Sequence, residues 1–137
     1  MKNYLSVITL FTLLSLTGCG KSAVTVANNP GETAVLLFSS ITSGNAQVIK
    51  DNIYISDEVQ RDVFNEWVDM MVASQQYKES TKGYNPSYSV VEEKVDGETA
   101  EVLLAGKNPA GQNVQIKVKL LVVDGRWKVD GDHGVWH

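Results

Sequence analysis

The sequence predicts an α+β domain in which N-terminal helices pack on one face of a curved antiparallel four-stranded meander. Three observations support this fold class. Apolar residues recur at helical spacing from residue 30 to about residue 80, and they alternate with polar residues from residue 87 to residue 130. Turn-forming residues separate successive strands by short steps, as an antiparallel meander requires.

Three helices are expected before the sheet. The segment Asn29 to Glu32 opens the first with a capping side chain, a proline suited to the first turn and a glutamate that can reach back. Ser43-Gly44 ends this helix, and a short second helix runs from Asn45 to about Asn52. Ser56 is expected to cap the third and longest helix. Its stripe, which is expected to lie in the core, comprises Val59, Val63, Trp67, Met70, Met71 and Ser74.

Four strands are expected after the helices, because the apolar period changes from 3.6 to 2. Turn residues such as Asp96-Gly97 and Asp124-Gly125 separate them. The predicted strands are Ser87 to Val95, Thr99 to Gly106, Asn113 to Val123 and Arg126 to Asp130.

Composition limits the class of protein. The chain has 137 residues, of which 43% are hydrophobic and 20% charged, so it is long enough for one globular domain and is not wholly disordered. A net charge of −4 argues against a nucleic-acid binder held by phosphate contacts. A single cysteine forbids an internal disulfide.

The first residues are typical of an export signal. An uncharged stretch from Tyr4 to Leu16 follows Lys2 and is too short to span a bilayer, for which about 20 residues are needed. Leu16-Thr17-Gly18-Cys19 resembles the lipobox of bacterial lipoproteins. The resemblance implies a signal peptide over residues 1–18, cleavage before Cys19 and lipid attachment to its thiol. An ordinary signal peptide with an incidental cysteine is the alternative.

The resemblance also implies a location. The lipid on Cys19 would hold the exported protein on the membrane, and Gly20 after it implies the periplasmic face of the outer membrane if the host is Gram-negative. Residues 19–29 would form the lipidated cysteine and a tether, and residues 30–137 the domain. Residues 23–27 are apolar enough to add an edge strand instead.

The order of elements resembles the nuclear transport factor 2-like (cystatin-like cone) superfamily, and more narrowly the small bacterial lipoproteins of unknown function that carry such a domain. The similarity covers about residues 30–132. Its best local marks are Pro30 to Gly44, Gly97 to Val102 and Asp124 to Asp130. These marks specify a fold rather than a chemistry. Because cone domains commonly dimerise through the sheet, the resemblance also implies a homodimer.

Two groups of residues are candidates for binding. One group would line a pocket or fill the core, and the core is the favoured interpretation for the stripe of the third helix. The other group is basic and falls on the outward face of two adjacent strands, where it is either a solvated surface or a docking face for an acidic partner or lipid A-type phosphates. The first group is Phe38, Trp67, Met70, Met71, Tyr88 and Trp127. The second group is Lys117, Lys119, Arg126 and Lys128.

Chemistry-bearing motifs are weak. Cone enzymes place Asp, Tyr or His inside the pocket, but the inward positions of the clearest strands are aliphatic, so no catalytic residue is assigned. The acidic and histidine residues near the C-terminus, Asp130, Asp132, His133 and His137, lie among glycines that oppose a metal-binding helix. No metal and no cofactor is therefore predicted.

The sequence thus predicts a lipid-anchored cell-envelope protein whose small domain acts by binding. Either a pocket takes a small apolar ligand, or a surface engages another envelope protein or a second copy. The alternative is a small cone-fold enzyme of the isomerase or hydratase type. A pocket filled by Val, Leu and Trp side chains would favour the interaction role.

Overall fold

The computed structural model describes residues 26, 28–84, 87–108 and 110–133. Within these ranges the helices precede the main strands, as predicted, and the α+β class is confirmed. The helices are α1 (Pro30–Ser43), α2 (Ala46–Asn52), α3 (Glu58–Ala73) and α4 (Gln75–Thr81). The strands are β1 (Ile53–Tyr54), β2 (Ser89–Asp96), β3 (Thr99–Lys107), β4 (Asn113–Val123) and β5 (Arg126–Asp130).

Local side-chain chemistry sets the helix ends. The Asn29 side chain accepts a hydrogen bond from the Glu32 N–H at the start of α1, and Gly44 ends α1 with a φ of 79°. The expected third helix differs from prediction in two places. Asp57 rather than Ser56 caps α3. Ser74 has extended backbone and caps α4, so the expected long helix is two helices.

The sheet contains the predicted meander and one additional strand. Its order is β1-β5-β4-β3-β2, with antiparallel pairing throughout β2 to β5. The two residues of β1 pair in parallel with Val129 and Asp130 of β5. A bulge between Val90 and Glu92 interrupts the register of β2 with β3. The fold therefore has one open edge along β2 and a short, partly covered edge at β5.

The core lies between the helices and one face of the sheet. α1 contacts β2, β3 and β5, whereas α3 contacts α2 and α4. α1 therefore lies directly on the sheet, and α3 forms an outer layer. The core side chains are Ala34, Leu37, Ile49, Ile53, Ile55, Val68, Ala100, Val102, Leu104, Val118, Leu120, Trp127 and Val129.

Asn28 joins the segment before α1 to the sheet. Its side-chain Oδ1 accepts the N–H of Trp127 at 2.7 Å, and its Nδ2 donates to the carbonyl oxygen of Trp127 at 3.0 Å. The same Nδ2 donates to Thr33 Oγ1 at 2.9 Å. The Asn28 amide thus occupies the place that a neighbouring strand would take beside β5. The packed domain consequently begins before the predicted residue 30 and includes the end of the predicted tether.

Candidate partner-binding surfaces

The space between the helices and the sheet is filled. Leu37 of α1, Leu104 of β3 and Val118 of β4 are completely buried. Trp127, one of the residues expected in the core or a pocket wall, is 5% exposed and completes the same layer. A ligand site requires an open cavity lined by apolar groups. Aliphatic side chains and one indole occupy that position here.

Three polar side chains are buried among the described residues, and two of them bond to the backbone. The three are Thr33, Ser40 and Asn52. Thr33 Oγ1 donates to the carbonyl oxygen of Asn29, and Asn52 Nδ2 donates to that of Val48. Because a buried polar group is costly unless it is hydrogen-bonded, these bonds explain how the groups can be accommodated in an apolar interior.

An aromatic group closes one end of the interior. The rings of Phe38 and Tyr88, both expected to line a pocket or core, lie with centroids 6.0 Å apart and are half-buried. The Tyr84 hydroxyl donates to the carbonyl oxygen of Lys107. The same hydroxyl lies 3.3 Å from the hydroxyl of Tyr88. A Cβ on Gly106 would meet Tyr88 Cδ1 at 2.5 Å, so glycine is what lets the ring lie against β3.

Burial also changes the titration of this group. Desolvation raises the pKa of Tyr88 well above the ordinary phenol value, and the hydrogen bond and charge repulsion from Tyr84 raise it further. Tyr77 behaves in the same way, since burial raises its pKa while a hydrogen bond with the backbone of Gly44 lowers it. Both phenols are therefore neutral and serve as packing groups and hydrogen-bond donors near neutral pH.

The apolar stripe of α3 faces solvent, and its expected place in the core is wrong. Trp67 is 46% exposed and Met70 is 66% exposed, while Val59 and Val63 are 71% and 62% exposed. Met71, which was grouped with them, is half-buried. The four exposed side chains are called the α3 stripe below.

A second apolar row makes the inward contact of α3. Val68 is fully buried, and Phe64 and Val72 pack against the core from the same side. α3 therefore carries two apolar rows, of which one is buried and the other is exposed. The ring of Phe64 lies 6.1 Å from that of Trp67, so it links the buried row to the α3 stripe.

Acidic residues border the α3 stripe on one side. Asp69 binds Lys50 of α2, with Oδ1 and Nζ 2.7 Å apart, while Asp62 and Glu66 are exposed. Arg61 lies about 100° round α3 from Asp62 and about 60° from Glu58, so it adjoins the N-terminal end of this border. The border is called the acidic row below and consists of Glu58, Asp62, Glu66 and Asp69.

The predicted basic docking face lies on the outside of the sheet. Lys117, Lys119 and Arg126 are exposed and Lys128 is half-buried. Lys117 Nζ lies 3.3 Å from Glu101 Oε1, which gives it an intramolecular partner. Such exposed pairs contribute little to stability, so this face is available to solvent rather than locked.

Shallow clefts indent the sheet near this face. One of about 420 Å³ lies between Lys94, Thr99, Lys119 and Leu121 on the outer face. Another, of about 470 Å³, lies at the rim where β2, β3 and β4 begin or end, beside Gly106. Both open broadly to solvent and carry mixed polar and apolar walls, unlike a buried ligand pocket.

The C-terminal acidic residues organise a turn. Asp130 Oδ1 accepts the backbone N–H groups of Asp132 and His133, and Asp132 Oδ2 accepts that of Ser56 at 3.2 Å. His137 lies outside the described residues. Among the residues that are described, no three His, Cys, Asp or Glu side chains form a cluster suited to a metal ion.

The predicted signal peptide, Cys19 and most of the tether lie outside the described residues. No helix in the described ranges has the length and apolar character needed to span a bilayer.

Two structural features were missed in the sequence, and only the second had a signal there. Asn28 precedes the expected domain boundary by only two residues, and no motif marks an amide that pairs with a distant strand. α3 carries apolar residues at Phe64, Val68 and Val72 as well as at the α3 stripe, and this double row is a usable signal. A helix that is apolar on two faces has a second surface to cover.

Comparison of whole structures supports the fold assignment. A proposed nuclear transport factor 2-like transpeptidase from Campylobacter jejuni superposes with a TM-score of 0.60 at 16% identity, over 75% of this chain and 98% of that one. A nuclear transport factor 2-like protein of unknown function from Silicibacter pomeroyi gives a TM-score of 0.46 at 15% identity, over 72% and 87% of the two chains. No protein-family model and no curated protein sequence matches the chain. The domain thus has a nuclear transport factor 2-like fold.

Proposed function

We propose that the chain is a lipid-anchored cell-envelope protein whose nuclear transport factor 2-like domain binds a partner protein through its surface. The observation that carries this proposal is the pairing of a filled interior with an exposed apolar helix face. Leu37, Leu104 and Trp127 are buried in the interior, whereas Trp67 and Met70 face solvent.

The energetics of surface exposure favour a binding role. Fully burying a large apolar side chain yields about 1.5–3 kcal/mol relative to leaving it exposed. The α3 stripe holds four such side chains whose transfer out of water the isolated domain does not exploit. Contiguous exposed apolar patches rimmed by polar residues commonly mark interaction sites. A partner that covers the stripe would gain this free energy.

In the proposed function, lipobox processing would hold this surface in the envelope. Lipobox processing would join Cys19 to acyl chains, and stable anchoring requires more than one chain, because a single chain binds reversibly with K on the order of 10⁴ M⁻¹. The domain would then remain near the membrane surface, where the local concentration of other anchored proteins is high. A modest interface would suffice there.

Photocrosslinking in intact host cells tests the binding role. A photoreactive amino acid replaces Gln60, which is exposed beside the α3 stripe, or, in a parallel strain, Gln115, which is exposed on the outer sheet face. We expect a discrete protein adduct at one of these positions. The absence of any adduct at both positions would contradict the proposal.

Native mass spectrometry tests the competing small-ligand role. The protein is purified gently from the host membrane and its intact mass is measured after the processed mass is established under denaturing conditions. We expect no stoichiometric mass beyond the lipidated chain. A stoichiometric extra mass that is lost on unfolding would instead establish a bound small ligand.

A further inference from the structure

α3 has the construction of a helix that is covered on both sides. Its inward row, centred on Val68, is buried, and Phe64 from that row supports the ring of Trp67. A contiguous exposed apolar patch rimmed by polar residues commonly marks an interaction site. The described residues cover only one side of α3, so the α3 stripe is a surface prepared for another chain.

The shape of the stripe favours a helical partner. Val59, Val63, Trp67 and Met70 follow at i, i+4, i+8 and i+11, which is the spacing of a single helical ridge. The ridge is about 17 Å long at 1.5 Å per residue. Amphipathic helices dock with anchors at such spacings, and tryptophan is enriched among residues that dominate interface energies.

The charge of the border specifies the partner further. The acidic row follows the same intervals as the stripe, one residue earlier at each step, so it runs parallel to the stripe along its full length. Asp62 and Glu66 stand at its centre, whereas Arg61 adjoins Glu58 at its N-terminal end and lies about 140° round the helix from Glu66. Lysine or arginine on one flank of an apolar helix would complement this arrangement.

Two other occupants fit less well. If α3 of a second copy packed on the stripe about an antiparallel twofold axis, the two acidic rows would face each other and repel. A membrane surface would meet the same negative row, whereas helices that lie in the lipid interface carry lysine and arginine on their polar face. Neither a second copy of α3 packed in this way nor a membrane surface would offer positive charge to the acidic row.

We propose that the α3 stripe and acidic row form the docking site for an amphipathic helix of a partner protein, with an apolar ridge flanked on one side by lysine or arginine. This inference rests on the proposed partner-binding function and names the chemistry of that partner. The apolar ridge of the partner covers Val63, Trp67 and Met70, and its basic flank meets Asp62 and Glu66.

The test uses the full chain in its host, with the photoreactive residue at position 60. The partner segment captured there is identified by mass spectrometry. The double substitution Asp62→Lys with Glu66→Lys reverses the centre of the acidic row, and Asp69 is left intact because it binds Lys50. Glu93→Lys with Glu98→Lys changes the net charge equally on exposed residues of β2 and its turn, and it serves as the matched control.

We expect the captured segment to be an amphipathic helix with a basic flank. The reversal of Asp62 and Glu66 should lower the adduct yield by about tenfold or more, and the control pair should leave it unchanged. Changing the basic flank of the partner to glutamate should restore the adduct in the reversed variant. Equal amounts of all variants in the membrane fraction show that each is folded and retained.

Each other outcome contradicts the inference in a distinct way. A captured segment without basic residues, or one whose yield ignores the reversal, overturns the stated partner chemistry while leaving the binding function standing. Capture of a second copy of this chain or of lipid assigns the stripe to that occupant. An adduct at position 115 alone moves the binding site to the outer sheet, and none at either position removes the proposed function itself.

Discussion

The Tyr88 hydroxyl couples stability to alkaline pH. Burial holds the pKa of this phenol above its ordinary value, with a further contribution from Tyr84. A phenol with a higher pKa in the folded than in the unfolded chain contributes stability that is complete below about pH 10, the unfolded pKa. That contribution is lost as the pH rises above this value toward the folded pKa.

We therefore expect Tyr88→Phe to flatten the alkaline fall in the free energy of unfolding. Below pH 10 the variant should be less stable by about 1 kcal/mol or less, because it loses the hydrogen bond to Tyr84. Above pH 10 the gap between variant and native protein should narrow. Urea unfolding at several pH values from 8 to 11 measures both effects, and Tyr77 retains a part of the fall in each protein. Parallel profiles would contradict the assignment.

Asn28 carries a second residue-level effect. Replacing it by alanine removes both bonds to the backbone of Trp127 and leaves a partly buried N–H and carbonyl without their amide partner. We expect Asn28→Ala to lower the free energy of unfolding by about 1–3 kcal/mol.

Asn28→Asp provides the matched comparison. An aspartate can still accept the N–H of Trp127, but it cannot donate to the carbonyl oxygen as the amide does. It should therefore also destabilise the domain, and denaturant midpoints of the two variants show whether one bond or both matter. A midpoint equal to that of the native protein in both variants would show that the hydrogen bonds between Asn28 and Trp127 contribute nothing to stability.

Substitution of the two described tryptophans should affect stability differently, because one lies in the core and the other on the outer helix. Trp127 is nearly fully buried, so Trp127→Ala should cost about 3–5 kcal/mol. Trp67 is almost half exposed and its neighbours in the α3 stripe are more so, and Trp67→Ala should cost less than half as much in the isolated protein. Chemical unfolding of both variants measures the difference. Equal losses would place Trp67 in the core after all.

The helices and the strand meander could be predicted from the sequence because each has a local cause. Capping at Asn29, the stop at Gly44 and strict alternation along β4 all act within a few residues. β1 could not be predicted, since two residues are too short to show a period and the strand exists only through its pairing with β5. Ser74 could not be recognised as a break because serine is compatible with both a helix and its cap.

The face that α3 buries could not be predicted for a different reason. Periodicity finds apolar rows but does not say which of two rows meets the core. Val68 and Val72 turned inward, and Val63 and Trp67 turned outward, although both rows have helical spacing. That choice depends on the shape of the surface formed by α2 and the core, which is a tertiary property. The candidate site was thus present in the sequence but was assigned to the interior.

At the level of the whole molecule, Cys19 determines where the domain acts in the proposed function. We expect Cys19→Ala to abolish incorporation of radiolabelled palmitate and to shift the protein from the membrane to the soluble envelope fraction. Without a lipid the acidic chain, with a net charge of −4, gains little attraction to anionic head groups. Unchanged labelling and fractionation would exclude lipid anchoring through this residue.

The fold by itself does not specify a function. A superposition with 16% identity shows that this architecture tolerates almost complete replacement of its residues. What distinguishes the chain is therefore where it departs from the requirements of packing. The α3 stripe with its acidic row is one such departure and the basic outer sheet is another, and these two surfaces lie on separate elements. Variants that alter one surface should leave the other intact.

The hydrogen bonds between Asn28 and Trp127 also affect how the domain responds to a pulling force. In the proposed anchored state, a pull between membrane and partner first reaches Val26, which packs against the core, and then Asn28, which two hydrogen bonds to Trp127 hold to β5. These contacts would yield before the ladders of the sheet, because few bonds are loaded at once. Release of the chain from residue 26 to residue 28 would lengthen the tether by about 10 Å, at 3.3–3.6 Å per residue, while Asn29 still caps α1. The domain could then follow a moving partner without unfolding.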